Sequence, residues 1–101
     1  MILSMKRDKN IICYGLGVDD PKRIFGTTKK LKELFGSKRV FDVPVSENAL
    51  TGIGIGSSLN GLRPVMVHQR LDFFLYAMEQ LINNAAKWSY VFGGVKSLPL
   101  T

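Results

Sequence analysis

The chain has 101 residues, 46% of them apolar, and a formal net charge of +6. That length accommodates one domain and excludes two, and that apolar share supports a core and excludes a disordered polypeptide. No stretch approaches the roughly 20 apolar residues of a membrane span, so a membrane partner is not expected.

The N-terminal "MILSMKRDKN" is apolar first and basic second, the reverse of a secretory signal, and none is read there. Residues 11–14, "IICY", are a short apolar run ended by "GLGVDDP", which predicts a buried strand and a loop. The single cysteine, Cys13, has no internal disulfide partner, so a reducing, cytoplasmic setting is expected. "TTKKLKELFG" (27–36) predicts a helix capped by Thr27 or Thr28, with Leu31, Leu34 and Phe35 as its apolar stripe and Gly36 as its stop. "RVFDVPV" (39–45) predicts a second strand that ends at Pro44. Ser46 then stands at a helix N-cap, with Glu47 in the first turn. "RPVMVHQ" (63–69) predicts a third strand. Asp72 is positioned to cap a long helix to about Trp88, with Phe74, Met78, Leu81, Ile82 and Ala85 on its apolar side and Gly93-Gly94 after it. "SLPLT" (97–101) reads as the start of another strand.

This alternation predicts a three-layer α/β fold, a parallel sheet with flanking helices. A parallel sheet is covered on both faces, and three or four strands with three helices are few for that. The single domain is therefore expected to be part of a larger one. Lysines and arginines gather at 5–9 and between Lys29 and Arg39, and we read them as a solvated basic face. No zinc spacing, RNA-binding aromatic motif or helix-turn-helix is legible, so nucleic acid is not an expected partner.

The stretch "SENALTGIGIGSSLNG" (46–61) carries the chemical signal. A dinucleotide-binding G-x-G-x-x-G needs a sixth-place glycine; from Gly15, Gly52 or Gly54 that place holds Asp20, Ser57 or Leu59. No Gly-Lys-Ser/Thr follows a phosphate loop either. On a helix, Gly52 and Gly56 share a face bare of side chains, which lets another backbone approach. Each helical glycine costs about 0.5–1 kcal/mol relative to alanine, so close packing is expected to offset it. Glu47 precedes them in the pattern E-x4-G-Φ-x-x-G. Alone it reads as a first-turn acid complementing the helix dipole.

With "RVFDVPVSE", "TGIGIG", "GLRPV", "EQLINNAAK" and "FGG" in order, the stretch from Ile24 to Gly94 resembles the β subunit of thiamine-diphosphate-dependent 2-oxo acid dehydrogenases. More broadly, it is similar to the pyrimidine-binding domain of the transketolase-like group. The resemblance implies the thiamine diphosphate-binding fold, present here in part, with both ends short of the family's. It implies that Glu47 is catalytic: its carboxyl group would hydrogen-bond N1′ of the aminopyrimidine and promote deprotonation of the thiazolium carbon. Burial among apolar neighbours such as Val43, Val45 and Leu50 would suit that carboxyl to proton sharing. Phe73 matches the ring that packs on the aminopyrimidine. Tyr76, one helical turn on, stands where many relatives carry glutamine. Gly52 and Gly56 would lie at the interface between subunits.

The resemblance also implies what other chains supply. The diphosphate and its Mg2+ would be held by an α-type partner bearing G-D-G…N, and no metal ligand is assigned here. The protein would be a hetero-oligomer acting on a 2-oxo acid, and this chain alone would be inactive. His68 and Arg70, at the end of the third strand, are further candidates because strand C-termini face the ligand crevice of open parallel sheets. The alternative is a non-catalytic remnant or protein-interaction module that keeps the glycine-faced helix for docking.

Overall fold

The apolar run at residues 11–14 becomes the central strand of a parallel sheet. In a computed structural model that describes residues 1–20, 26–94 and 96–101, the elements run α1 (Ile2–Arg7), β1 (Ile11–Gly15), α2 (Leu31–Phe35), β2 (Val40–Asp42), α3 (Glu47–Leu59) and β3 (Arg63–Val67). A helical rod follows, opening with α4 (Leu71–Phe74) and closing with α5 (Ala86–Val91). Pro21 of the predicted loop, and Ile24 and Phe25 of the stretch that resembles the family, lie outside the described residues.

The sheet order is β2-β1-β3 and both pairings are parallel. The connection through α2 steps one way from β1, and the connection through α3 steps back across it. Right-handed crossovers then put α2 and α3 on opposite faces. Successive strand residues divide between those faces. Cys13 and Val40 join Met5 of α1, Val18 and Leu31 of α2 in one buried cluster. Tyr14 points the other way, stacks on Phe41 at 5.7 Å and meets α3. This is the predicted three-layer α/β architecture.

Local departures have local causes. The α2 helix starts at Leu31, later than predicted, because its N-cap is Lys30 in a left-handed conformation (φ 65°) rather than Thr27 or Thr28. Thr28 is instead buried, and Gly36 does end the helix, its N–H bonded to the Lys32 carbonyl at 2.8 Å. The β2 strand is only Val40–Asp42. Ser46 occupies the predicted N-cap of α3 but makes no side-chain capping bond. Pro64 is tolerated inside β3 by parity: Arg63 donates to Asn10 of the inner neighbour, whereas Met66 donates outward to Thr101. The missing N–H of Pro64 thus belongs to the outer side. No strand forms at 97–101, yet Thr101 donates to Pro64 (3.0 Å) and accepts from Met66 (2.8 Å), the two bonds of a parallel ladder.

The rod departs furthest from expectation. It is capped by Arg70, with Asp72 already inside the first turn and bound to Arg70. A 3-10 turn at Leu75–Ala77 and a π-helical segment at Gln80–Ala85 interrupt it. These shift the phase of the apolar stripe: Ala77 becomes fully buried, while Ile82 is half exposed. Arg39, read as part of a solvated basic face, turns inward. Its guanidinium donates to the carbonyls of Met5, Asp8 and Ile11 at 2.9–3.0 Å and lies over the Phe35 ring.

Candidate functional site

The carboxyl ends of β1 and β3 meet where the sheet order reverses direction, the position at which open parallel sheets hold their ligands. Gly15 ends β1 with φ +150°, and a Cβ there would run into the Val67 backbone. Only glycine keeps the two strands paired up to this edge. Beyond it, Leu16 and Gly17 on one side and His68 and Gln69 on the other line a recess of about 100 Å³.

Glu47 begins α3 directly after the turn that leaves β2. It is 7% exposed, and its carboxyl group has no hydrogen bond or ion pair with any described residue. Most buried polar side chains are hydrogen-bonded, so an orphaned carboxyl is a feature that calls for a partner from elsewhere. Of the apolar neighbours named from sequence, Leu50 is buried and Val43 half-buried, but Val45 is 78% exposed and does not cover the carboxyl group. Thr51, one turn along, donates its hydroxyl to the Glu47 carbonyl at 2.7 Å and is itself buried. That bond stiffens the first turn from which the carboxyl projects.

A second recess of about 80 Å³ lies beside this face, walled by Thr51, Met66, His68, Phe74, Leu81 and Leu100. Its lining is almost entirely apolar. The His68 imidazole meets the Phe74 ring edge-on at 5.3 Å. Burial holds His68 below its ordinary 6.5, and the nearby Glu47 charge opposes that shift. The fold thus places His68 in one recess with Thr51, a helical turn along α3 from Glu47.

The other predicted residues are placed differently. Phe73 is half-buried and lies under the Arg70 guanidinium at 5.1 Å, while its neighbour Phe74 faces His68. Tyr76 is 69% exposed. Gly52 would bring a Cβ no closer than 3.5 Å to the Gln80 amide, and Gly56 faces open space. The close approach within this chain is at Gly54, where a Cβ would collide with the Tyr14 hydroxyl. Thr51, Met66, Phe74 and Leu81 were not singled out from sequence as site residues. Phe74 and Leu81 carried a signal only as members of an apolar stripe. Among the described residues, no group of three His, Cys, Asp or Glu side chains is arranged to hold a metal ion.

Comparison with known proteins agrees with the fold. Residues 1–100 match the transketolase pyrimidine-binding domain. The chain is 37% identical over 100 residues to the chloroplastic pyruvate dehydrogenase E1 component subunit beta-4 of Oryza sativa subsp. japonica, covering 99% of this chain and 25% of that relative. It is also 37% identical over 100 residues to the pyruvate dehydrogenase E1 component subunit beta of Mycoplasma genitalium, covering 99% and 31%. The mitochondrial subunit beta of Bos taurus is 33% identical over 96 residues, 95% of this chain and 27% of the relative. The chain thus spans 25–31% of the length of these three relatives. With a parallel α/β sheet and a family match over residues 1–100, this chain belongs to the transketolase pyrimidine-binding domain family.

Proposed function

We propose that the chain supplies the aminopyrimidine side of a thiamine diphosphate site in a β-type subunit of a 2-oxo acid dehydrogenase. The observation that carries this reading is Glu47, a residue only 7% exposed whose carboxyl group has no hydrogen bond or ion pair with any described residue. A weakly basic ring nitrogen delivered to that carboxyl would fill its missing hydrogen bond. The residues fit the group, since Thr51, one helical turn from the orphaned acid, walls an apolar recess that suits one face of an aromatic ring.

When bound, thiamine diphosphate supplies the nucleophilic carbon that permits decarboxylation of a 2-oxo acid. In this reading Glu47 shares a proton with the ring nitrogen, and its low exposure keeps water from competing. Thr51 fixes the first helical turn through the Glu47 carbonyl. Phe73 and Tyr76 are proposed as further ring-side contacts; the exposure of Tyr76 suits a contact completed by a second chain. Gly52 and Gly56 are proposed to receive a partner backbone, for which the open space at Gly56 leaves room. The diphosphate and its Mg2+ fall to an α-type partner, and this chain alone is proposed to be inactive. A cytoplasmic location is proposed, where the buried, unpaired Cys13 thiol is at home.

The test uses the chain assembled with its α-type partner, thiamine diphosphate and Mg2+. Glu47→Ala is expected to lower decarboxylation by at least about 10²-fold, the usual contribution of a positioned acid or base. A correctly assembled Glu47→Ala complex with wild-type turnover would sink the reading.

A second reading, a non-catalytic interaction module, draws on the exposed apolar residues Leu71, Leu75, Tyr90 and Val91 along the rod. It predicts a complex that forms normally and binds no thiamine diphosphate by calorimetry.

A further inference from the structure

The recess at the carboxyl edge of the sheet, between the loops that leave β1 and β3, holds polar side chains without hydrogen-bond partners among the described residues. Thr28 lines it and is 4% exposed, yet its hydroxyl has no hydrogen bond with any described residue. A buried hydroxyl without a partner carries a desolvation cost that a ligand can remove. Gln69 lines the same space, and its amide is likewise unbonded among the described residues. That amide lies against the bare α-carbon of Gly17, where φ is +70° and a Cβ would collide with it. The glycine thus leaves room for Gln69 to stand in the recess. His68 forms the wall shared with the apolar recess, and its imidazole meets the Phe74 ring edge-on.

No lysine, arginine, aspartate or glutamate lines this recess among the described residues. A carboxylate or phosphate placed there would lose water without meeting a cation. A hydrocarbon group would leave the Thr28 hydroxyl unpaired. A hydroxyl group both donates and accepts, and so do the Thr28 hydroxyl, the Gln69 amide and a neutral imidazole. We propose that the recess is a substrate subsite that receives an uncharged, hydroxyl-bearing side chain of a 2-oxo acid, with Thr28 and Gln69 as its hydrogen-bond partners and His68 beside them. At about 100 Å³ it admits a short group and no long chain. Because His68 walls both recesses, a ring in the apolar one and a substrate side chain in the polar one are neighbours across the imidazole. The inference deepens the cofactor reading of Glu47 and rests on it for the identity of the substrate; the affinity of the recess for a hydroxyl group does not.

The subsite is tested first without cofactor, in the full chain, by NMR titration with hydroxyacetone and with butanone, which carries a methyl group where hydroxyacetone carries its hydroxyl. Hydroxyacetone is expected to shift the Thr28 methyl resonance and the imidazole resonance of His68, the only histidine, and butanone to shift neither. Thr28→Val, close in shape, is expected to weaken hydroxyacetone binding at least about tenfold. Equal responses to the two ketones, or hydroxyacetone binding unchanged in Thr28→Val, would overturn the proposal. If Thr28→Val does not fold, Gln69→Met takes its place in the titration, with the same expected loss and the same overturning result.

In the complex assembled with its α-type partner, thiamine diphosphate and Mg2+, the pair 3-hydroxypyruvate and 2-oxobutanoate makes the same comparison. The wild type is expected to favour hydroxypyruvate in kcat/KM by at least about tenfold. The ratio is expected to fall towards one in Thr28→Val and in Gln69→Met. An equal or reversed ratio in the wild type, or a ratio that both variants leave intact, would overturn the substrate class. So would turnover of neither acid by a complex that binds thiamine diphosphate. A complex that binds no thiamine diphosphate by calorimetry would instead refute the cofactor reading, with the subsite still decided by NMR.

Discussion

The Tyr14 hydroxyl occupies the space into which a side chain on Gly54 would project. It also donates to the Leu50 carbonyl at 2.9 Å, so one phenol sets how closely α3 lies on β1. Glu47 begins the same helix, and its depth therefore depends on this contact. Gly54→Ala is expected to destabilise the chain by about 1–3 kcal/mol through overpacking. Gly56→Ala, with nothing within 4 Å of the added methyl, is expected to stabilise it by about 0.5–1 kcal/mol. Urea unfolding of the two variants separates them, and equal effects would contradict the packing at Gly54.

The Cys13 thiol is fully buried in the sheet's inner cluster, and burial pushes it up to about 11. The reactive thiolate is therefore scarce at neutral pH. A chromogenic disulfide reagent is expected to leave the folded chain unmodified and to label it in denaturant. Rapid labelling in native buffer would contradict this burial.

Stability is expected to fall on mild acidification. Burial depresses His68 below the 6.5 of an unfolded histidine. A depressed folded value means that the unfolded chain takes up the proton first. The stability is therefore complete above about pH 6.5 and lost as pH falls through the folded value. Asp72, held below its ordinary 3.8 first by the Arg70 hydrogen bond, acts only at more acid pH. Thermal unfolding between pH 5 and 7 measures the slope, which His68→Gln should flatten.

Arg39 offers a fourth prediction. Arg39→Met removes a charged donor shared by three carbonyl groups and is expected to cost about 1.5–3 kcal/mol, read from denaturant unfolding. A loss within a few tenths of a kcal/mol would mean that water replaces the guanidinium without cost.

The strands and α3 were legible because their signals are local: an apolar run at "IICY", alternation in "RPVMV" and a cap-type residue at Ser46. The rod was less so. Its 3-10 and π turns answer to packing on α3, where Asn48 joins Glu79 and Gln80, and helical spacing alone does not register such phase shifts. Phe73 and Phe74 are adjacent, and nothing in "DFFLY" decides which ring turns to the sheet. Arg39 shows the same limit for charge, since sequence reveals a cation but not its direction. The pattern around Glu47 marked a position. The burial of Glu47 is tertiary, made by α3 settling against β1 and β3.

The Arg39 guanidinium has a consequence for how the N-terminal segment can come loose. Its carbonyl partners lie in α1, in the turn after it and in β1, while Arg39 itself leads into β2. Peeling α1 away would strand the cation beside the sheet, so fraying there is not a private event of the terminus. Amide protons of Met5, Cys13 and Val40 should exchange with solvent as one cooperative unit, their protection rising and falling together.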